Sequence, residues 1–565
     1  MKIIKNTIKT NTYVCIALAY AVSGTAQAQV APDAGSILRD QQKPVLEVPT
    51  RTAPAIKLDE PARPAIQPSS TRFVLKRFRV TGNTAFAEAE LVAQVGDIVG
   101  KDIGFADLDQ AASRISRYYR ERGYLVARAY LPAQDIKDGA VEIAVIEGRY
   151  GKVDLDNKSR VRDGVVRGHT ASLPGATVVE PALERKLLLL NDLPGVGEVR
   201  GTLRPGTNVG ESDLTVNLTP ASFASGSIEF DNHGDRFTGG YRLTGKLNVL
   251  SPLGFGDKLD AQLSKSFNGL DYGRLAYQIP VGGDGFKLGA AFSRSTYQLG
   301  NLFSVLDASG EADTYTLNAS YPFIRTRHFN LYGQAAYEWR DFQDRIAAVA
   351  LAVDRSTRAG TLTLRGDARD ALWGGGITVF SLGYASGRVN VETPIARAVD
   401  DVTARTHGHF DKWNVNVLRL QNLGERLSAY IAFSGQKARK NLDSSEKFVL
   451  GGANGVRAYP WGEAPGDSGY VATAELRYTF NVAAVPGVLQ PFVFVDTGGV
   501  TLNEHPFIAG ANTRHLSAGG VGLTWVKPND FQVKLTLATR LGSQPSVASD
   551  TDRHTRGWVQ AIKYF

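Results

Sequence analysis

The chain has 565 residues and a formal net charge of +8, which is modest for this length. Its basic residues are spread along the sequence without interleaved aromatic residues on one element, which argues against a nucleic-acid-binding protein. With 59 Gly and 21 Tyr against one Met and one Cys, the composition favours a chain rich in strands and turns.

Residues 1–28 have the pattern of a cleaved export signal: a basic start at Lys2, an apolar core from Tyr13 to Val22, and a small-x-small cleavage sequence at 26–28. The mature chain is predicted to begin near Gln29. The apolar core is shorter than the roughly 20 residues that a membrane helix needs. No later stretch is apolar for that length, so any membrane span must consist of strands. The only cysteine, Cys15, lies in the signal, which excludes disulfides from the mature chain.

Residues 29–71 are rich in proline and are predicted to form an extended linker. Within it, the segment from Ala34 to Gln42 can form a short helix that begins after Asp33 and ends before Pro44. Such a helix is marginal in isolation and needs a docking site. Its apolar residues are Ile37 and Leu38.

Residues 72–148 and 149–220 are predicted to form two mixed units with the same β-α-α-β-β order. The first unit has a predicted strand at Phe73–Val80, helices at Ala87–Val95 and Phe105–Arg122, and strands at Tyr124–Leu131 and Ala140–Ile146. The second has a strand at Gly151–Leu155, helices near Val165 and at Pro181–Leu190, and strands at Glu198–Leu203 and Ser212–Leu218. The last two strands are the predicted edges for an added partner strand.

Residues 221–565 alternate strictly between apolar and polar side chains over strands of about 8 to 12 residues, as in an outer-membrane β-barrel. Short connections, such as 252–257 and 421–425, alternate with long polar ones, such as 300–312, 392–408, 440–468 and 543–556. This asymmetry favours a membrane barrel over a soluble sandwich. We predict a mainly β protein that ends in an antiparallel barrel of about sixteen strands. Interfacial girdles are predicted from Tyr321, Trp339, Trp413, Tyr478, Phe480, Trp525, Phe531 and Trp558.

Four local patterns occur in a fixed order along this layout. The two β-α-α-β-β units come first, followed by Asp231-Asn232-His233-Gly234 with Arg242. Val456-Arg457-Ala458-Tyr459 lies in the longest loop, and Phe494-Val495-Asp496-Thr497-Gly498 lies on a later strand. Together they resemble the TpsB outer-membrane transporters of two-partner (type Vb) secretion, the ShlB/FhaC/HecB family of hemolysin secretion/activation proteins.

The resemblance implies that the two units are periplasmic POTRA domains that recognise an unfolded secreted partner, and that the barrel exports it to the cell surface. It also implies that Arg457 folds into the lumen and pairs with Asp496, and that the helix around Ile37 and Leu38 plugs the resting lumen. The partner would be a β-helical (TpsA-like) exoprotein such as a hemolysin, hemagglutinin, adhesin or haem-acquisition protein. An insertase that assembles other barrels is the alternative, since that related family shares POTRA units and the loop arginine; a passive porin is a third.

Other side-chain groups suggest no chemistry. His407 and His409 could chelate a metal, but no cysteine or third histidine supports them. No nucleotide-binding loop or nucleophile–base set is present, so we expect no enzyme, cofactor or metal. The terminal aromatic Phe565 is the usual signal for the barrel assembly machinery. Contacts with outer-membrane lipid and lipopolysaccharide, and a monomeric state, are further expectations.

Overall fold

A computed structural model describes residues 31–42, 54–59, 71–136, 138–548 and 552–565. The predicted export signal and most of the predicted linker lie outside the described residues. Within the described part of the chain, no helix is long and apolar enough to cross a membrane.

Two linker segments have defined structure. Helix α1 spans Ala34–Gln41, and Asp33 caps it: its carboxylate accepts a hydrogen bond from the Ser36 N–H at 2.9 Å, while the Ser36 hydroxyl accepts one from the Asp33 N–H at 3.0 Å. Strand β1 spans Ala55–Leu58. No strand was predicted in this linker. Strand β1 forms because it pairs with the second α+β unit.

The first α+β unit has one hydrophobic core beneath a small sheet. Its elements are β2 (Arg72–Val74), β3 (Arg77–Thr81), α2 (Glu88–Ala93), β4 (Asp102–Gly104), α3 (Phe105–Glu121), β5 (Arg128–Tyr130) and β6 (Ala140–Ile146). The sheet order is β3-β6-β5, and β2 pairs separately with β4. Helix α3, predicted at Phe105–Arg122, buries Leu108, Ala111 and Ile115 against this sheet at helical spacing.

Two predicted strands of this unit are shorter than expected. The strand predicted at Phe73–Val80 is broken at residues 75 and 76 because the chain changes partner, from β4 on one side of the break to β6 on the other. The strand predicted at Tyr124–Leu131 begins only at Arg128. Before it, Tyr124 and Ala127 donate backbone hydrogen bonds in a turn that closes helix α3.

The second unit consists of β7 (Arg149–Asn157), α4 (Asp163–Thr170), α5 (Glu180–Asn191), β8 (Val196–Pro205) and β9 (Glu211–Pro220). Its sheet order is β1-β8-β9-β7. The prediction that Ser212–Leu218 offers a free edge is wrong, because β9 pairs on both sides, with β8 and with β7. The edge predicted at Glu198–Leu203 is an edge of the unit, but β1 covers it from Arg200 to Leu203.

The second unit is joined by ion pairs to the short turns at one end of the barrel that follows it in the chain. The Arg325 guanidinium donates to both carboxylate oxygens of Asp192, at 2.6 and 2.9 Å. Lys186 on α5 lies 2.9 Å from Asp284 in another turn. His169 is fully buried at this joint, where a side chain on Gly283 would collide with the backbone of α4. The unit is therefore held at the end of the barrel where the short turns lie.

Sixteen antiparallel strands form a closed barrel, as predicted. They are β10 (Ala224–Asp231), β11 (Arg242–Leu250), β12 (Lys258–Ser266), β13 (Leu270–Val281), β14 (Phe286–Gln298), β15 (Ala308–Arg325), β16 (Phe329–Ile346), β17 (Leu351–Asp370), β18 (Gly376–Val391), β19 (Gly408–Asn422), β20 (Leu427–Ala438), β23 (Ser468–Tyr478), β24 (Val488–Thr501), β25 (Thr513–Lys527), β26 (Phe531–Arg540) and β27 (Thr555–Tyr564). The loop between β20 and β23 holds a small hairpin, β21 (Phe448–Val449) and β22 (Pro465–Gly466), and helix α6 (Pro394–Val402) lies between β18 and β19.

The two faces of the wall differ as a membrane barrel requires. Leu243 on β11 and Leu263 on β12 are exposed on the outer face, while their neighbours Thr244 and Ser264 are buried on the inner face, with hydroxyl oxygens 2.8 Å apart. The barrel closes where β10 pairs with β27 over five residues, Ser227–Asp231 against Gln560–Tyr564. We call this pairing the seam.

Candidate functional site

The longest loop, residues 439–467 between β20 and β23, packs inside the barrel wall. Val456, Ala458 and Tyr459 are almost completely buried in one cluster with Phe492 and Phe494 of β24. The backbone at Val456 and Tyr459 is fixed by two hydrogen bonds within the loop, Val456 N to the Leu450 carbonyl at 2.8 Å and Tyr459 N to the Val456 carbonyl at 3.1 Å. The loop thus has one defined pose against the wall.

Arg457 in this loop reaches the carboxylate of Asp496 on β24 with two parallel hydrogen bonds. Its Nε lies 2.8 Å from Oδ2 and its Nη2 lies 2.7 Å from Oδ1. The Arg457 backbone N–H also donates to Oδ2 at 3.1 Å. This two-pronged geometry fixes the direction of the loop as well as its distance from the strand, because both groups are planar.

Three further contacts, which the sequence prediction did not include, surround Arg457. Its Nη1 donates to Glu475 on β23 at 2.6 Å, and its guanidinium lies 3.4 Å from the centre of the Phe494 ring. The indole N–H of Trp558 on β27 donates to the Arg457 carbonyl at 2.7 Å. The prediction of Trp558 in an interfacial girdle is wrong, because its side chain turns into the lumen and is 5% exposed.

Two small residues shape this contact. Gly498 lies on β24 where a side chain would come within 2.7 Å of the Tyr470 carbonyl and 3.1 Å of Leu450 in the loop, so glycine permits the close approach of loop and strand. Ala458 follows Arg457, at a position where the family that this sequence resembles commonly has glycine. It is not among the residues with a positive φ, so alanine fits there without strain.

Helix α1 lies in the lumen, between the wall and the same loop. Ile37 and Leu38 are buried against Tyr272, Tyr297 and Phe342 of the wall. These aromatic side chains supply the docking site that a helix of eight residues requires.

Polar contacts at both ends of α1 fix its position. Arg355 on β17 lies 2.7 Å from Asp33, which precedes the helix, and the Ala34 N–H donates to Asp344 at 2.8 Å. On the loop side, Arg39 donates to the Ser444 carbonyl at 2.8 Å. The helix therefore contacts both the barrel wall and the loop that contains Arg457.

The two histidines considered as metal ligands have different partners in the structure. His407 Nδ1 accepts a hydrogen bond from the Val391 N–H at 3.2 Å, and His409 lies on β19 opposite Arg388. Within the described ranges, no group of three or more metal-ligating side chains is found.

A closed sixteen-stranded barrel, with an α+β domain upstream and an arginine-anchored loop in its lumen, fits an outer-membrane protein of either the transporter or the insertase class. The chain belongs to the family described as haemolysin secretion/activation protein ShlB/FhaC/HecB, whose sequence model matches residues 210–525. A model of the ShlB-type POTRA domain matches residues 73–148. Members of this family are two-partner secretion transporters of the outer membrane, with POTRA domains in the periplasm, and this assignment takes precedence over the insertase alternative.

Relatives cover almost the whole chain. The heme/hemopexin transporter protein HuxB of Haemophilus influenzae is 28% identical over 97% of this chain and 98% of its own. The outer membrane transporter CdiB of Dickeya dadantii is 23% identical over 91% of this chain and 92% of its own. The solved structure of CdiB from Escherichia coli has a TM-score of 0.72 at 18% identity, and the match covers 96% of this chain and 100% of that one.

Proposed function

We propose that the transporter captures its unfolded partner by strand addition at the β8 edge of the second α+β unit, which we assign as a second POTRA domain. One observation carries this proposal: the β8 edge already accepts a strand from outside its unit. Strand β1 pairs with it in parallel over four residues, from Ala55 opposite Arg200 to Leu58 opposite Leu203. In such pairing, backbone hydrogen bonds supply affinity and alternate side-chain pockets supply register.

The contacts of β1 indicate what a partner strand would need. Ile56 packs on the core of the second unit, and Asp59 next to β1 forms ion pairs with Lys57 and Arg204 that are largely exposed. Exposed pairs contribute about 0 to 1 kcal/mol each, so backbone pairing and one apolar side chain hold β1. A partner segment with an apolar residue at the Ile56 position would displace it.

After capture, the partner would pass through the barrel to the cell surface. In the resting transporter, α1 would plug the lumen and the Arg457–Asp496 pair would anchor the long loop. Val456, Tyr459, Phe494 and Gly498 hold this anchor in its pose. The chain would catalyse no reaction and use no cofactor or metal. Transport would draw on folding of the partner outside the cell, since stacked β-helix repeats prevent backsliding.

We further propose that the partner is a TpsA-like β-helical exoprotein with a haem-acquisition role. This choice rests on the HuxB relatives, which match nearly full length in both chains. Insertion of the barrel as a monomer into lipid and lipopolysaccharide by the assembly machinery, with Phe565 as the terminal signal, belongs to the same proposal.

The test compares the full-length parent with an Ile56→Asp variant for binding of the amino-terminal part of the secreted partner. Burial of an aspartate in the Ile56 position weakens β1, so the β8 edge becomes free and binding should tighten. Lys57→Asp is the matched control, because residue 57 is exposed. Equal affinity in all three proteins would contradict capture at this edge.

A further inference from the structure

Glu463 in the long loop has no role in the mechanism described so far, although it is completely buried. It lies six residues after Arg457 but faces a different part of the barrel. Its carboxylate accepts hydrogen bonds from the Val547 N–H at 3.1 Å, from the Ala548 N–H at 3.0 Å and from the Ser546 hydroxyl at 2.7 Å. Arg514 on β25 completes the set, with Nη1 2.8 Å from the carboxylate.

Three of these donors, Ser546, Val547 and Ala548, lie after β26, in residues 541–548, which are here called the closing loop. A second contact joins the same two loops, because the Tyr459 hydroxyl donates to the Gln544 carbonyl at 3.0 Å. The closing loop is also held close to β27, because the Ser546 N–H donates to the carboxylate of Asp552 at 3.1 Å. Asp552 lies shortly before β27, which forms one side of the seam. The long loop is thereby attached to the hairpin that closes the barrel.

The Glu463 attachment is distinct from the Arg457 anchor. Arg457 pairs with Asp496 and Glu475 on β24 and β23, whereas the partners of Glu463 lie on β25 and the closing loop. A buried carboxylate is stable only with several donors, and Glu463 has four. Arg514 is itself 8% exposed, so loss of the negative charge would leave a buried cation.

We infer that Glu463 is a positioning residue for export: it fastens the long loop to the closing loop, so that movement of the long loop is transmitted to the seam strand β27. The Trp558 indole, which donates to the Arg457 carbonyl, provides the second link between the loop and β27. The fastening is independent of how the partner is captured in the periplasm.

The test measures the mobility of a nitroxide label in the full-length protein, purified in detergent. Only Cys15, in the predicted signal, would compete for the label. One label is placed at exposed Ser543→Cys in the closing loop, and another at exposed Asn454→Cys near Arg457. In a Glu463→Gln variant the label at 543 should lose its immobilised component, while the label at 454 should keep its own spectrum because the Asp496 anchor remains. Glu425→Gln, in an exposed periplasmic turn, is the control for loss of one charge.

The same proteins in planar bilayers should show larger or more frequent conductance fluctuations for Glu463→Gln than for the control. Unchanged mobility at 543 would overturn the inference. Equal mobilisation of both labels would also overturn it, since Glu463 would then support the whole loop as core packing does. Arg514→Gln provides a second variant if Glu463→Gln does not assemble. If neither forms a heat-resistant barrel on a gel, Glu463 is a folding residue and the positioning role is wrong.

Discussion

Replacement of Arg457 by alanine should release the long loop while the barrel stays assembled. The sixteen strands keep their backbone pairing, because Arg457 lies in the loop and its contacts with β23 and β24 are made to side chains, not to the backbone ladder. The loop, in contrast, loses both parallel bonds to Asp496, the bond to Glu475 and the contact with the Phe494 ring.

The size of the effect follows from the burial of the partners. Asp496 is 0% and Glu475 5% exposed, so the variant leaves two buried carboxylates without this arginine. Removal of one partner from a buried ion pair costs about 3 to 5 kcal/mol. At about 1.4 kcal/mol for each factor of ten, the open population of the loop should rise by about two to three and a half powers of ten.

Hydrogen exchange of peptides covering residues 450–466 measures this population directly, with peptides from β15 to β17 as the internal reference. Arg477→Ala is the matched control, since Arg477 also pairs with Glu475, at 2.6 Å, but not with Asp496. Export of the partner should fall in Arg457→Ala and persist in the control. Parent-like exchange in the loop of a properly inserted Arg457→Ala protein would refute the anchor.

Three other predictions concern the plug, the β8 edge and the joint to the barrel. Deletion of residues 31–42 should raise ion conductance in a planar bilayer while export continues; unchanged conductance would mean that α1 does not block the lumen. Proline at Leu203 should reduce partner binding if the domain still folds by circular dichroism, because the Leu203 carbonyl accepts from the Asp59 N–H and its own N–H faces the same edge; undiminished binding by a folded variant would count against strand addition. Burial lowers the pKa of His169 below its ordinary value of 6.5. The folded joint therefore keeps a neutral ring while the unfolded chain takes up a proton, so stability is fully present above that value and is lost as the pH falls through it. Melting temperature should thus fall less between pH 7 and 5 in His169→Gln than in the parent, and equal slopes would contradict this reasoning.

The barrel was predictable because its signal is local. Alternation along each strand, as at Leu243 and Thr244, and the contrast between short turns and long loops together define strand number and direction. The helices of the α+β units were likewise predicted from their spacing. Strand ends were less predictable where they depend on partners, as at residues 75 and 76, where the chain leaves β4 for β6.

The site was only partly predictable because its contacts join distant segments. Arg457 and Asp496 were paired through the resemblance of their motifs, whereas Glu463 has no motif, and its donors lie far along the chain, on β25 and in the closing loop. Trp558 at a strand end has the same local sequence signal whether it faces lipid or lumen. Its direction is set by the parity of β27 in the closed barrel, which the sequence did not define well enough.

The pairing of β1 with β8 shows the same limit. Four residues of a proline-rich linker carry no strand signal of their own, and they become a strand only because β8 presents an unpaired edge.

Export of one partner across the outer membrane is tested by comparing secreted and outer-membrane proteins in cells with and without this transporter. We expect one large protein to disappear from the medium and cell surface and to be retained or degraded in the periplasm, while other outer-membrane barrels keep their levels. Loss of many outer-membrane barrels, with no single secreted protein affected first, would contradict it and favour an insertase.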